Sequence, residues 1–435
     1  MRYLLPMRST LLALSLLATF PAMGCGDPTE AQPDAVQPGT DAAPAGLVQI
    51  TVQRDSVPVA NQRVAFLNAD NSLVAMKMTD AGGIATAEMI PGGSVTAELL
   101  TPGSVYDAQV YTFEGVKPGD KLVTENGSHG LQWSDVEVRI PALPLRSFVQ
   151  IQTSCGDLVS FENAPYTYRV TLPCATTDVF VRAQSPGGAD LGQFYVENVT
   201  VVGNTIDVSA QVFQPTQHVA LTMTNIPPYV SRIETESWVR TRSMLLQSLK
   251  AQLLFTSPSP MRSTPIAMPI GTGDAILATR LTRGFDAFQT IVDRTAFGDI
   301  ALDVKAAQIP WVLTRPALDT GVGEYLWTES ADGSADGMRL TLDTQRPATA
   351  NAEKLRWLHY FVAPYAANRL RVPKLPGELA KYHVVSSDIN MQGFGGLSLI
   401  KLPGGYDALR EAPFPLEMPK VTAARGRYVF SSYPM

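Results

Sequence analysis

The chain has 435 residues, 17% of them charged and 45% hydrophobic, with a formal net charge of -6; it is long enough for roughly two to four domains with substantial cores. No run of lysines and arginines occurs in it, so the electrostatic footprint of a nucleic-acid binder is missing and nucleic acid is not an expected partner.

The amino-terminal stretch sets the expected compartment. Arg2 and Arg8 precede the apolar run from Leu11 to Phe20, and Gly24 sits directly before Cys25. A charged start, a short apolar run and a small residue at the cut form a secretory signal over residues 1–24. Ten apolar residues at about 1.5 Å each are too few to cross a hydrocarbon core roughly 30 Å thick. The stretch Ala22-Met23-Gly24-Cys25 resembles the lipobox of bacterial lipoproteins. That resemblance implies a lipidated Cys25 at the mature amino terminus, with palmitate among its acyl chains. An ordinary secreted protein with an unpaired cysteine is the competing reading. Asp27 to Gly46 carries four prolines, four acidic residues and neither lysine nor arginine. Such a segment cannot offset its ordering entropy by burial and is expected to stay extended, so residues 25–46 read as a tether reaching about 60 Å. By the same resemblance, Gly26 after the cysteine points to the outer membrane, with the protein facing the periplasm or the cell surface.

Beyond the tether the pattern changes to period two. Leu47 to Val52, Arg63 to Leu67 and Ser94 to Leu99 alternate or run apolar between Gly, Pro, Asn and Asp, the signature of short strands. Val57-Pro58-Val59-Ala60, Val64, Phe66, Thr79-Asp80-Ala81-Gly82-Gly83 and Pro91-Gly92-Gly93 resemble the carboxypeptidase regulatory-like domains and the related bacterial Ig-like repeats, in which a T-D-x-x-G turn precedes an apolar strand and a P-G turn. The resemblance implies a sandwich of the Ig-like or prealbumin-like kind over residues 47–142, with a carbohydrate-binding-like fold, used as a spacer or recognition module and without catalytic residues.

Strands are expected next at Phe148 to Ile151, Tyr166 to Leu172, Val179 to Val181 and Asn198 to Val202, giving a second sandwich over 143–216. Cys155 and Cys174 lie within it, and in an oxidising compartment they are free to pair; the rival reading is a metal or redox pair, though no C-x-x-C or neighbouring histidine accompanies them. The remainder, 217–435, reads as a β-rich domain with strands at Val219 to Thr224, Ala275 to Leu281, Trp311 to Leu313, Tyr325 to Trp327, Met338 to Leu342 and Leu355 to Val362. Leu245 to Leu254 fits one helical face and also alternates; its strand neighbours and Pro258 and Pro260 favour strand.

Constellations able to carry chemistry are few. His129, His218, His359 and His383 form no H-E-x-x-H pair, and no G-x-S-x-G elbow or phosphate-cradling loop occurs. Asp332, Ser334 and Asp336 with Gly337, followed by Asp343, place oxygen ligands at positions 1, 3, 5 and 12 and glycine at 6, as a calcium loop does. An Asp-Gly hairpin turn between strands accounts for the same residues. No other cofactor is expected. The five tryptophans could form a sugar-stacking platform, but strand surroundings favour core positions. The sequence therefore reads as an all-β chain of two or three tandem antiparallel sandwiches behind a disordered tether. Its expected role is non-catalytic binding or scaffolding at the cell envelope, with an unknown protein or glycan as partner. The alternative is an envelope hydrolase whose site lies in the carboxy-terminal domain.

Overall fold

The computed structural model describes residues 45–434 apart from 55–56, 102–103, 125–132, 163, 173, 242–244, 248–251, 256–260, 270–272, 285–286, 320–322, 349–352, 386, 391–395 and 412–424. Cys25, the tether and His129 lie outside the described residues. The chain is all-β, with 60% of the described residues in strands and 5% in helices.

A 14-stranded sheet dominates the fold. At one end Arg63–Leu67 pairs antiparallel with Leu73–Met78 and with Gly93–Leu100, which pairs in turn with Ala108–Val116. Ala108–Val116 then runs parallel beside Leu355–Pro364. From there the sheet continues through Gly337–Arg346, Gly396–Lys401, Gly426–Pro434, Ala287–Ala296 and Asp274–Arg283 to Val230–Arg240. The amino-terminal strands and the carboxy-terminal ones thus share one sheet rather than forming separate modules.

Both faces of this sheet are covered, so strands such as Gly93–Leu100 and Gly337–Arg346 bury consecutive residues, polar ones among them. One face packs Phe66, Val95, Tyr111, Phe113 and Val362 against Val48 and Ile50. Those two belong to a small sheet of Gly46–Thr51, Ile84–Met89 and Lys121–Val123. On the opposite face lie Ile233, Leu277, Ile291, Leu340 and Trp357, beneath Val219, Leu221 and Met223. The strand carrying those three, Gln217–Thr224, alternates strictly, burying these residues and exposing His218.

The turn chemistry read from the sequence is realised. Asp80 Oδ1 accepts hydrogen bonds from the amides of Gly82 and Ile84 at 2.8 and 2.9 Å. Gly83 has φ +71°, and a Cβ there would lie 2.4 Å from the Val52 carbonyl oxygen, so only glycine fits.

The second module is a seven-stranded sheet around its own core of Val149, Ile151, Tyr168, Val181 and Ile206. Its Cys155 and Cys174 are joined in a disulfide with Cα atoms 6.0 Å apart. Trp133–Arg139, expected in the first module, pairs antiparallel with Tyr166–Thr171 and parallel with Thr205–Asp207, inside this sheet.

Two further expectations meet their outcome in the carboxy-terminal part. Leu245–Gln247 and Gln252–Phe255 are both strands on Val230–Arg240, while 248–251 lie outside the described residues. Trp311 to Leu313, expected as a strand, forms only an isolated bridge from Val312 to Glu329. The reason is that serine hydroxyls accept two of its amides, Ser330 Oγ that of Trp311 at 2.9 Å and Ser431 Oγ that of Val312 at 3.4 Å.

One irregular segment lies across the large sheet. Val372 to Asp388, containing the 3-10 helix Gly377–Tyr382, buries Val372, Leu375, Leu379, Tyr382 and Val384 in the core on that side. Beneath it the carboxylate of Glu98 accepts from Tyr382 Oη at 2.5 Å and Arg63 Nη1 at 3.0 Å, and pairs with Lys381 Nζ at 2.9 Å. Farther along, Arg346 grips Asp388 through two nitrogens at 2.8 Å each and reaches the Lys381 and His383 carbonyls. These ion pairs fasten the segment as a strap.

Candidate functional site

Where the strap begins, it meets the turns at one end of the amino-terminal strands and leaves a cleft of about 130 Å³. Its walls are Asn68, Ala69 and Asn71 on one turn, Gly92, Gly93 and Ser94 on another, Glu114 on the strand Ala108–Val116, and Arg371 and Pro373.

Each wall is held by local chemistry. The Asn68 to Ser72 turn closes through the Asn68 amide on the Ser72 carbonyl and the Asn71 amide on the Asn68 carbonyl, both at 2.9 Å. Asn71 takes φ +67°, a conformation asparagine tolerates better than most residues. On the facing turn, a Cβ at Gly93 would lie 2.2 Å from the Leu67 carbonyl oxygen, so backbone alone forms that part of the floor. Ser94 sits across from both Leu67 and Glu114 in the sheet register. Behind Glu114 its own carbonyl accepts from Tyr406 Oη at 2.5 Å, and Arg410 Nη1 donates to the next carbonyl, Gly115, at 2.9 Å. The helix Gly405–Glu411 therefore pins the strand from the rear.

Electrostatically the cleft is unusual in one respect. Burial pushes the Glu114 carboxyl up to about 7, with the Arg371 guanidinium pulling partly the other way. No hydrogen bond to that carboxyl is formed among the described residues, and Arg371 has no ion pair there. A desolvated, unbonded carboxyl is a cost to the fold, and such groups concentrate at recognition and catalytic sites; the Arg371 guanidinium near it is exposed to solvent.

The residues singled out in the sequence lie elsewhere. Asp332 Oδ2 accepts from Tyr229 Oη at 3.3 Å, Asp336 Oδ2 from the Leu402 amide at 2.9 Å, and Asp343 from Arg356 at 2.7 and 3.1 Å. The three carboxylates of the calcium-loop reading thus face different partners, and Ser334 lies exposed between them. No group of three His, Cys, Asp or Glu able to hold a metal occurs among the described residues. Trp238, Trp311, Trp327 and Trp357 are buried, at the core positions expected of them, although Trp311 and Trp327 lie outside the strands; the Trp133 side chain lies outside the described residues. His359 is wholly buried with Nε2 2.9 Å from Thr112 Oγ1.

Sequence reasoning missed Asn68, Asn71, Ser94, Glu114 and Arg371. Two local signals were present: the Asn-Ala-Asp-Asn-Ser turn, and a charged Glu114 set directly after the core residues Tyr111 and Phe113.

No protein-family profile matches the chain, and no curated protein is similar to it in sequence. Among solved structures, the Bacillus anthracis TIE protein aligns at 13% identity and TM-score 0.15 over 60% of this chain, which spans half the length of that protein. The major pilin subunit BcpA of Bacillus cereus aligns at 10% identity and TM-score 0.15, covering 60% of this chain and 99% of its own. A calcium-stabilised adhesin with which an Antarctic bacterium binds ice aligns at 7% identity and TM-score 0.12, covering 75% and 100%. Likenesses this loose carry no conclusion about fold or function.

Proposed function

We propose that the chain is a lipid-anchored protein of the bacterial envelope, held at the outer membrane through Cys25, that binds a glycan or protein partner at turns bordering its packed sheets and does not catalyse. The recognition half rests on one observation, the cleft where Glu114 and Arg371 meet two asparagine- and glycine-bearing turns. Loops positioned by a rigid β scaffold are where binding sites accumulate, and polar groups converging on a concavity give orientation to a ligand. The anchoring half is supported by the sequence alone: the charged start, the short apolar run, Gly24-Cys25 and the acidic, proline-rich arm. A firm hold needs more than one acyl chain, which the lipobox reading supplies.

The hydrolase alternative draws on the same carboxyl, since a group poised near neutrality suits a general acid. Glycoside hydrolysis ordinarily needs a second carboxyl facing the first. The described lining holds one.

The test is retention of ligands from a saccharide and envelope-protein panel on the immobilised mature chain. Retention by the native chain that is lost on Arg371→Ala is the expected result; turnover of the retained ligand would move the assignment to the hydrolase. Radiolabelled palmitate is expected to enter the native chain and not Cys25→Ser, and unchanged membrane fractionation of that variant would overturn the anchor.

A further inference from the structure

Arg371 and Glu114 also restrict the kind of ligand, an inference that rests on the cleft being the recognition site. The space, about 130 Å³, is well below the roughly 300 Å³ at which pockets for drug-sized molecules begin. It suits one ring or one short side chain entering from outside, and a buried chain segment would not fit. The lining is polar: two asparagines, a serine and two glycines, with one alanine and one proline. Aliphatic or aromatic ligands would leave these groups unsatisfied, which is unfavourable for each donor or acceptor so buried. A hydroxylated ring meets them.

The charged pair then decides the ring's substituent. An unpaired guanidinium is a fixed positive charge with a fork of donors that matches a carboxylate. An ammonium-bearing ring would place like charge beside Arg371. A neutral sugar would leave the guanidinium without an anion. The neighbouring Glu114, desolvated, takes up a proton readily near neutrality and in that form donates to an oxyanion, so the two side chains make one anion receptor in acid and a nearly neutral pair in base. Among anions, a carboxylate is a more basic acceptor than a sulfate ester and forms the stronger hydrogen bond with a protonated carboxyl.

We propose that the cleft receives a uronic acid unit, its carboxylate between Arg371 and Glu114 and its hydroxyls toward Asn68, Asn71 and Ser94. The charged and titratable groups facing Glu114 are few. Arg371 approaches from the strand Arg369–Arg371 and Tyr406 from the helix behind, while the turns line the cleft with uncharged side chains; the one charged group they carry, Asp70, is exposed, held ionised by the Ser72 hydroxyl and amide, and outside the lining. The pH response therefore belongs to Glu114. The ligand's own carboxylate stays ionised above about pH 4, so affinity rises as pH falls from 8 to 6, by about tenfold where only the protonated Glu114 accepts ligand.

Calorimetric titration of the full mature chain with sodium glucuronate, glucose, glucosamine and glucose 6-sulfate at pH 6, 7 and 8 tests this. Glucuronate is expected to bind best and more tightly in acid. Arg371→Ala is expected to weaken it by about tenfold or more, the scale of a lost charge-assisted hydrogen bond. Glu114→Gln, whose amide donates at every pH, is expected to bind at pH 8 as the native chain does at pH 6. Preference for glucose, glucosamine or the sulfate, with Arg371→Ala still weakening binding, overturns the uronate assignment and leaves the recognition site standing. Binding that Arg371→Ala does not alter places the site elsewhere and overturns both. Absence of binding by every sugar to a chain that circular dichroism shows folded also overturns the uronate assignment.

Discussion

His359 and Glu114 lie on adjacent strands and respond to acid in opposite senses. Burial, with a smaller contribution from His383, holds the His359 pKa down at about 3, against about 6.5 when unfolded. The stability that its neutral form contributes is complete above pH 6.5 and is lost as pH falls from 6.5 towards 3. His383, also held down by burial and by Lys374 and Arg346, adds to the same trend. Between pH 7 and pH 5, His359 alone should remove about 2 kcal/mol. Urea midpoints of the native chain should therefore fall over that interval, and those of His359→Gln should fall less. Glu114 has its folded pKa raised to about 7, so its contribution is complete below pH 4.5 and is lost as pH rises to 7. Glu114→Gln should be more stable than the native chain at pH 8, by about 3 kcal/mol, with the difference gone below pH 4.5; denaturant curves at the two pH values measure it. Neither role was legible in the sequence. His359 stands in an apolar run and has no motif around it, and the Glu114 environment is assembled from turns and a strand edge drawn from distant parts of the chain.

Among the elements, the strap from Val372 to Asp388 is fastened by two buried anions, Asp388 at its end and Glu98 beneath its helix, and Glu98 gathers the more partners. Burial opposes ionisation of Glu98, yet hydrogen bonds from Tyr382, Lys381 and Arg63 outweigh it and hold the carboxyl below its usual range. Removing one partner of a buried ionic cluster strands the others, typically at about 3–5 kcal/mol. Glu98→Ala should lower the denaturation midpoint accordingly, and amide exchange should rise first within residues 377–385. Strands such as Gly46–Thr51 and Gln217–Thr224 were legible because alternation matches a face buried on one side, and the Thr79 to Gly83 turn because its geometry demands Asp and Gly. The Trp311 stretch was misread because an apolar run signals burial, and burial here comes with hydroxyl caps instead of a neighbouring strand. The membership of Trp133–Arg139 was invisible for another reason: period two names a strand without naming its partner.

At the scale of the molecule, the parallel seam between Ala108–Val116 and Leu355–Pro364 joins the amino-terminal sandwich to the carboxy-terminal strands. Residues 47–142 expressed alone should therefore remain unfolded or aggregate, because that seam leaves a long apolar edge unpaired. Residues 133–214, which carry the seven-stranded sheet, its core and the disulfide, should fold alone and give dispersed amide resonances. The seam also governs timing. Thr112 and His359 touch although 247 positions separate them, so the earliest strands to emerge during synthesis wait for some of the last. Through that interval the Ala108–Val116 edge stays open to other chains, and assembly is slow by the measure of contact separation. Pulse-labelled chains should stay protease-sensitive, amino-terminal part included, until residues beyond 364 have been made.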